Sequence, residues 1–125
     1  DNEIPPLEWT GVPSEARSLA LVCSDPDAPS GTFHHWAVYD IPPDVRHLPE
    51  HTHAGMREAV NDFGGTGYGG PCPPRGHGSH RYCFRLYALD VPTLGLGSKA
   101  RCPEVERLAG RHALAEADLI GLYGR

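Results

Sequence analysis

Ser18-Leu19-Ala20-Leu21-Val22-Cys23-Ser24-Asp25-Pro26-Asp27-Ala28-Pro29 is an apolar run that stops abruptly in a proline-rich turn. An unbroken apolar segment of this kind reads as a buried strand, and the Asp-Pro-Asp-Ala-Pro sequence as the loop it delivers. The chain resumes at Phe33-His34-His35-Trp36 and enters a second strand that runs from Trp36 to Ile41 and ends at Pro42-Pro43. A third strand is predicted from His80 to Leu89, closed by Asp90-Val91-Pro92. Ahead of it lies a second loop rich in backbone punctuators, Gly67-Tyr68-Gly69-Gly70-Pro71-Cys72-Pro73-Pro74. Two such loops, each bearing imidazole, carboxylate or phenol groups and each running into a strand, hold polar chemistry at the mouth of a rigid sheet.

The rest of the chain is consistent with one domain spanning residues 1–125, long enough to bury roughly two-thirds of the surface exposed by its unfolded form. Its 15 glycines and 13 prolines stand between hydrophobic runs rather than in polar tracts, which argues for ordered, loop-rich β structure over disorder. A net charge of −5 leaves no clustered cation surface for a phosphate backbone, so nucleic acid is not an expected partner. The four cysteines, Cys23, Cys72, Cys83 and Cys102, lack the paired short spacing of a structural zinc site and read as buried free thiols. No apolar stretch is long enough to span a bilayer as a helix. The opening Asp1-Asn2-Glu3-Ile4-Pro5-Pro6 is neither a signal peptide nor an amphipathic anchor. The expected compartment is the cytoplasm, a periplasmic or secreted location requiring that a leader has been removed.

Between the strands, the polar segment from Pro43 to Gly55 reads as a surface loop, and Asn61-Asp62-Phe63-Gly64 as a turn that needs positive φ. Cys102 to Leu108 carries proline in its first turn and acids near its start, the signature of a short helix. Leu114, Ala117 and Leu119-Ile120 fall near helical spacing, which predicts a second helix from about Arg111 with Gly121 as its stop.

Taken together, Asp25-Pro26-Asp27-Ala28-Pro29, His34-His35-Trp36, Gly67 through Pro74 and His80-Arg81-Tyr82 resemble the phosphatidylethanolamine-binding protein family. Pro5-Pro6-Leu7-Glu8-Trp9, Asn61-Asp62-Phe63-Gly64 and the tail Leu119 to Arg125 resemble its bacterial and archaeal, Raf-kinase-inhibitor-like branch. The resemblance implies a mainly β, β-rich α+β fold: an antiparallel sheet core with short peripheral and C-terminal helices. It also implies one small anion-binding cavity near the surface, with no metal and no cofactor. Members of that branch carry an additional N-terminal strand ahead of the Pro-Pro-Leu-Glu-Trp segment. A chain without it would expose a sheet edge and favour a homodimer.

Carried over position by position, the family pocket falls on Asp25, Asp27, His35, Pro74, His80, Tyr82 and Tyr123. Imidazole and phenol groups offer N–H and O–H donors to a phosphate without the permanent charge of arginine. Asp25 suits such a site by accepting from one ring nitrogen of a histidine, so that the other faces the ligand. Asp27 has two readings, an orienting or ammonium-binding carboxylate and an Asx-turn residue. Alternation on a strand lets only one of His34 and His35 face the pocket, and assigns Trp36 to the face of His34. The expected function is non-enzymatic binding of a phosphate-containing ligand such as a phospholipid head group, phosphoethanolamine or a nucleotide. The alternative is a regulator that inhibits a kinase or a serine peptidase. A metal-dependent hydrolase using Asp25, His35 and His80 ranks below both, since no motif places a nucleophile or an oxyanion hole.

Overall fold

This computed structural model describes residues 7–25, 31–48, 56–67 and 81–122, excluding the side chains of residues 81–83 and 120–122. The apolar run is strand β2 (Ser18–Asp25), which follows a two-residue strand β1 (Leu7–Glu8). Then come β3 (Phe33–Ile41), the short β4 (His47–Leu48) and β5 (Arg57–Glu58), and the long β6 (Arg81–Leu89). Helix α1 (Cys102–His112) leads directly into β7 (Ala113–Leu122). Strand pairing is antiparallel throughout: one five-stranded sheet ordered β5-β3-β2-β6-β7 and a ribbon of β1 and β4. The expected β-rich α+β class with an antiparallel core is what the chain adopts.

The apolar run is continuous because β2 lies in the middle of the sheet and both of its faces are covered. One face carries Leu19, Leu21 and Cys23 with Trp36, Val38, Phe84 and Leu86, and the β1–β4 ribbon covers it with Leu7, Trp9 and Leu48. Trp9 fixes that ribbon by donating its indole N–H to the Val45 carbonyl at 3.0 Å. The opposite face carries Ala20, Val22, Ala37, Tyr39 and Tyr87, against which α1 packs Cys102, Val105 and Ala109. Those three recur at helical spacing, and Glu104 accepts the Arg101 backbone N–H at 2.9 Å to close the first turn. None of the described helices is long and apolar enough to cross a membrane.

Two irregularities in β3 decide which of its residues face the ribbon side. Cys23 opposes Trp36 while Ser24 opposes His34, so His35 is an extra residue in the ladder. Leu21 opposes Val38 and Leu19 opposes Ile41, which makes Asp40 a second insertion, held at φ 56°. The Asp40 carboxylate repays that conformation by accepting from the Thr93 hydroxyl at 2.8 Å and the Leu94 N–H at 3.0 Å. Trp36, Val38 and Ile41 thereby share one core, whereas His34 turns to the helix face. The expectation that Trp36 lies on the face of His34 is corrected by the first bulge, which adds a residue and breaks strict alternation.

The predicted second helix is also corrected. Residues 113–122 form an edge strand paired with β6 from Arg81↔Leu122 to Leu89↔Ala113. Its deciding pattern is Ala115-Glu116-Ala117-Asp118-Leu119, a period of two. Glu116 and Asp118 reach Arg85 at 2.9 and 3.1 Å, while Leu119 packs towards the ribbon-side core. Alanine and glutamate are strong helix formers, which masked the alternation until the partner strand was in place. The predicted free thiols at Cys23 and Cys102 are both buried and unbridged, and burial pushes the Cys102 thiol up to about 12.

Candidate functional site

Four long strands terminate together at one end of the sheet. Asp25 at the close of β2 opposes Phe33 at the start of β3, Ser24 opposes Cys83 of β6, and Arg81 opposes Leu122 of β7. Asp25, His35 and the backbone of Tyr82 are therefore gathered at a single end although up to 57 positions separate them, from Asp25 to Tyr82. The side chain of Tyr82 and the residues Asp27, Pro74, His80 and Tyr123 lie outside the described set.

His34 and His35 have different neighbours, His34 meeting Glu106 and Asp62 and His35 meeting Phe33 and Phe63. His35 is 8 % exposed, and its ring stands 5.0 Å from that of Phe33 and 5.8 Å from that of Phe63. Phe33 and Phe63 meet edge to face at 4.9 Å, so three rings form one cluster. Phe63 is 60 % exposed, which makes it the solvent-facing wall of that cluster. In the sequence, Phe63 reads only as part of a turn. The signal for its role is three-dimensional, since a turn beside β5 brings it back over the start of β3.

The turn itself is built by Asn61. Its carboxamide oxygen accepts from Phe63 N–H at 2.9 Å and Gly65 N–H at 3.3 Å, and its NH2 donates to the Gly67 carbonyl at 2.9 Å. Gly64 at φ 95° and Gly67 at φ 93° supply the predicted left-handed positions. A Cβ on Gly67 would lie 3.8 Å from the Glu58 carboxylate, so space permits one and only the backbone opposes it. Gly67→Ala is accordingly expected to cost about 1 kcal/mol, read as a lowered midpoint in urea with an unchanged slope.

Next to the ring cluster, the Trp36 indole N–H donates to Glu58 Oε2 at 2.7 Å, tying β3 to β5 from the ribbon-side face. On the helix face, His34 Nε2 stands 2.8 Å from Glu106 Oε1 and its Nδ1 3.6 Å from Asp62 Oδ2. The hydrogen bond to Glu106 raises the His34 pKa above the usual imidazole range, and the same bond lowers that of Glu106. The two carboxylates engage opposite ring nitrogens, a geometry that cannot converge on one metal ion. No metal-binding group of three His, Cys, Asp or Glu occurs among the described residues. A shallow cavity of about 420 Å³ is lined by Glu8 to Gly11, Arg46 and His47, none of them a site residue expected from the sequence.

A family model described as phosphatidylethanolamine-binding protein matches residues 1–124. The chain belongs to the phosphatidylethanolamine-binding protein family. Within that family it is 49 % identical to the UPF0098 protein of Aquifex aeolicus, over 97 % of this chain and 74 % of the relative. It is 50 % identical to the UPF0098 protein of Methanothermobacter thermautotrophicus, over 100 % of this chain and 85 % of the relative. The crystal structure of Escherichia coli YbcL, described as a new member of the mammalian PEBP family, superposes with a TM-score of 0.84 at 33 % identity. That superposition covers 97 % of this chain and 79 % of YbcL. The phosphatidylethanolamine-binding fold and the prokaryotic branch expected from the motifs are both shown.

Proposed function

We propose that the protein is a non-enzymatic binder of small phosphate-containing ligands, acting at the sheet end marked by Asp25 and His35. The observation that carries this reading is the delivery of His35 and Asp25 by adjacent antiparallel strands to the end where β6 begins and β7 stops. A histidine ring packed against both Phe33 and Phe63 has a defined orientation, so its donor is aimed before any ligand arrives. The family name supports a phosphorylated head group as the ligand class, and an imidazole donor suits a ligand that must be released again.

Isothermal titration with inorganic phosphate and with phosphoethanolamine tests the reading. Loss of one hydrogen bond to a charged ligand corresponds to about a 10-fold to 100-fold loss of affinity, which is the expected effect of His35→Ala. His80→Ala, chosen from the family motif, is expected to act in the same direction. Wild-type protein that binds neither ligand at millimolar concentration would overturn the proposal.

A further inference from the structure

We infer that His34 is a positioning residue: gripped between Glu106 and Asp62, it holds Phe63 against His35 and thereby links the helix face of the sheet to the ligand-binding end. The inference rests on the reading of His35 as a ligand contact for its functional meaning, while the coupling itself exists with or without ligand.

The linkage is continuous through the structure. His34 and Asp62 are bonded twice through the backbone of β3: His34 N–H donates to Asp62 Oδ2 at 2.8 Å, and Asp62 N–H donates to the His34 carbonyl at 3.0 Å. Val60 N–H donates to the Ala100 carbonyl at 2.8 Å, and Cys102 N–H donates to the Val60 carbonyl at 3.1 Å. The turn is thus clamped to the start of α1 on one side and to His34 on the other. Phe63 is the next residue after Asp62, and Asn61 fixes its backbone. Being largely exposed, Phe63 has little burial of its own to hold it, and ring contacts contribute only about 0.5–1.5 kcal/mol each. Asn61 and Asp62 together therefore set the position of Phe63, and only Asp62 is bonded to His34.

The charge of His34 acts on Asp62 through its ring. An imidazolium offers an N–H to each flanking carboxylate, whereas a neutral ring has one N–H and one lone pair. With the proton retained towards Glu106 at 2.8 Å, the lone pair on Nδ1 faces Asp62 Oδ2 and repels it. Asp62 Oδ2 also accepts the His34 backbone N–H at 2.8 Å, so the repulsion acts on a carboxylate already held to β3 by its backbone. Arg101 reaches Asp62 Oδ1 at 3.6 Å, and on β6 Arg85 acts on Glu106 while held by Glu116 and Asp118 of β7. Tyr87 of β6 and Cys102 of α1, both pushed up to about 12 by burial, stay neutral across the range in which an imidazole titrates. Among these groups the His34 ring alone changes charge between mildly acidic and mildly alkaline pH.

The test is a ligand-free NMR titration of the whole labelled chain that follows the His34 ring, the Phe63 amide and the ring protons of Phe33 and Phe63. The expected result is a component of the Phe63 and Phe33 shifts with the midpoint of His34, lost in His34→Gln, which keeps an N–H for Glu106 but does not titrate. His35 also neighbours these rings, so a Phe63 titration that survives whole and unchanged in His34→Gln belongs to His35 alone and overturns the coupling. Should that variant not fold, Glu106→Gln replaces it. It removes the charge that raises the His34 pKa, so the His34 and Phe63 midpoints are expected to fall together. A fall in the His34 midpoint alone would also overturn the inference. Because no phosphate is present, this outcome is independent of whether phosphate binds.

Discussion

Trp36→Ala is expected to destabilise the protein by about 4 kcal/mol, a large fraction of the stability of a domain this size. The side chain is 2 % exposed and lies in the ribbon-side core beside Cys23, Val38 and Phe84. Truncation removes the apolar area and leaves a cavity that the sheet cannot close, because Cys23 and Val38 are fixed by their own ladder bonds. It also deprives Glu58 of the indole donor that joins β3 to β5. Trp36→Phe separates these contributions: most of the burial is kept, only the hydrogen bond is lost, and the expected cost falls to about 1–2 kcal/mol. Equilibrium denaturation in urea measures both. Equal losses in the two variants would show that the bond to Glu58, rather than core packing, dominates at this position.

His34→Ala is expected to cost about 1–2 kcal/mol at pH 6 and less at alkaline pH, since it removes a part-buried hydrogen bond between charged partners. The sign follows from the two shifted groups. His34 is raised above its ordinary 6.5 chiefly by its bond to Glu106, so its contribution is fully present below 6.5 and is lost as pH rises through the raised value. Glu106 is lowered below its ordinary 4.5 chiefly by the same bond, so its contribution is present above 4.5 and is lost as pH falls through the lowered value. The pair therefore contributes in full from about 4.5 to 6.5, and the difference between wild type and His34→Ala should be greatest there. The Glu106 side chain is 40 % exposed, so added salt should narrow the difference. Denaturation midpoints measured from pH 4 to 9 check this, and a constant difference across that range would contradict it.

What could be read in the chain beforehand was set by how local each signal is. The apolar run Ser18–Cys23, the proline stops and the Asn61–Gly64 turn are short-range statements about backbone and burial, and each holds. The motif positions Asp25 and His35 stand on neighbouring strands towards one sheet end. Residues 113–122 misled because their alternation is carried by alanine and acid, types that favour a helix until β6 supplies Arg85 opposite them. The bulge at His35 is invisible in a pattern of aromatics and histidines, for it depends on which residues of β2 lie opposite. The partnership of His34 with Glu106 spans 72 positions and has no local signature at all. Phe63 was hidden for the same reason: a turn residue gains a role only when its neighbour Asp62 is bonded to another strand.

The central place of β2 has a kinetic consequence. Its partner on one side, β3, follows almost at once, but on the other Ser18 must find Leu89. Joining them closes a loop over more than half the chain before the core behind Leu19 and Leu21 can form, and that entropy is spent ahead of most of the burial that offsets it. Refolding should therefore fall in the milliseconds-to-seconds regime of chains dominated by distant pairings. The β2–β3 hairpin can form early. Its other edge, rich in Leu, Val and Cys, then waits uncovered for β6, and the refolding yield should decline as protein concentration rises.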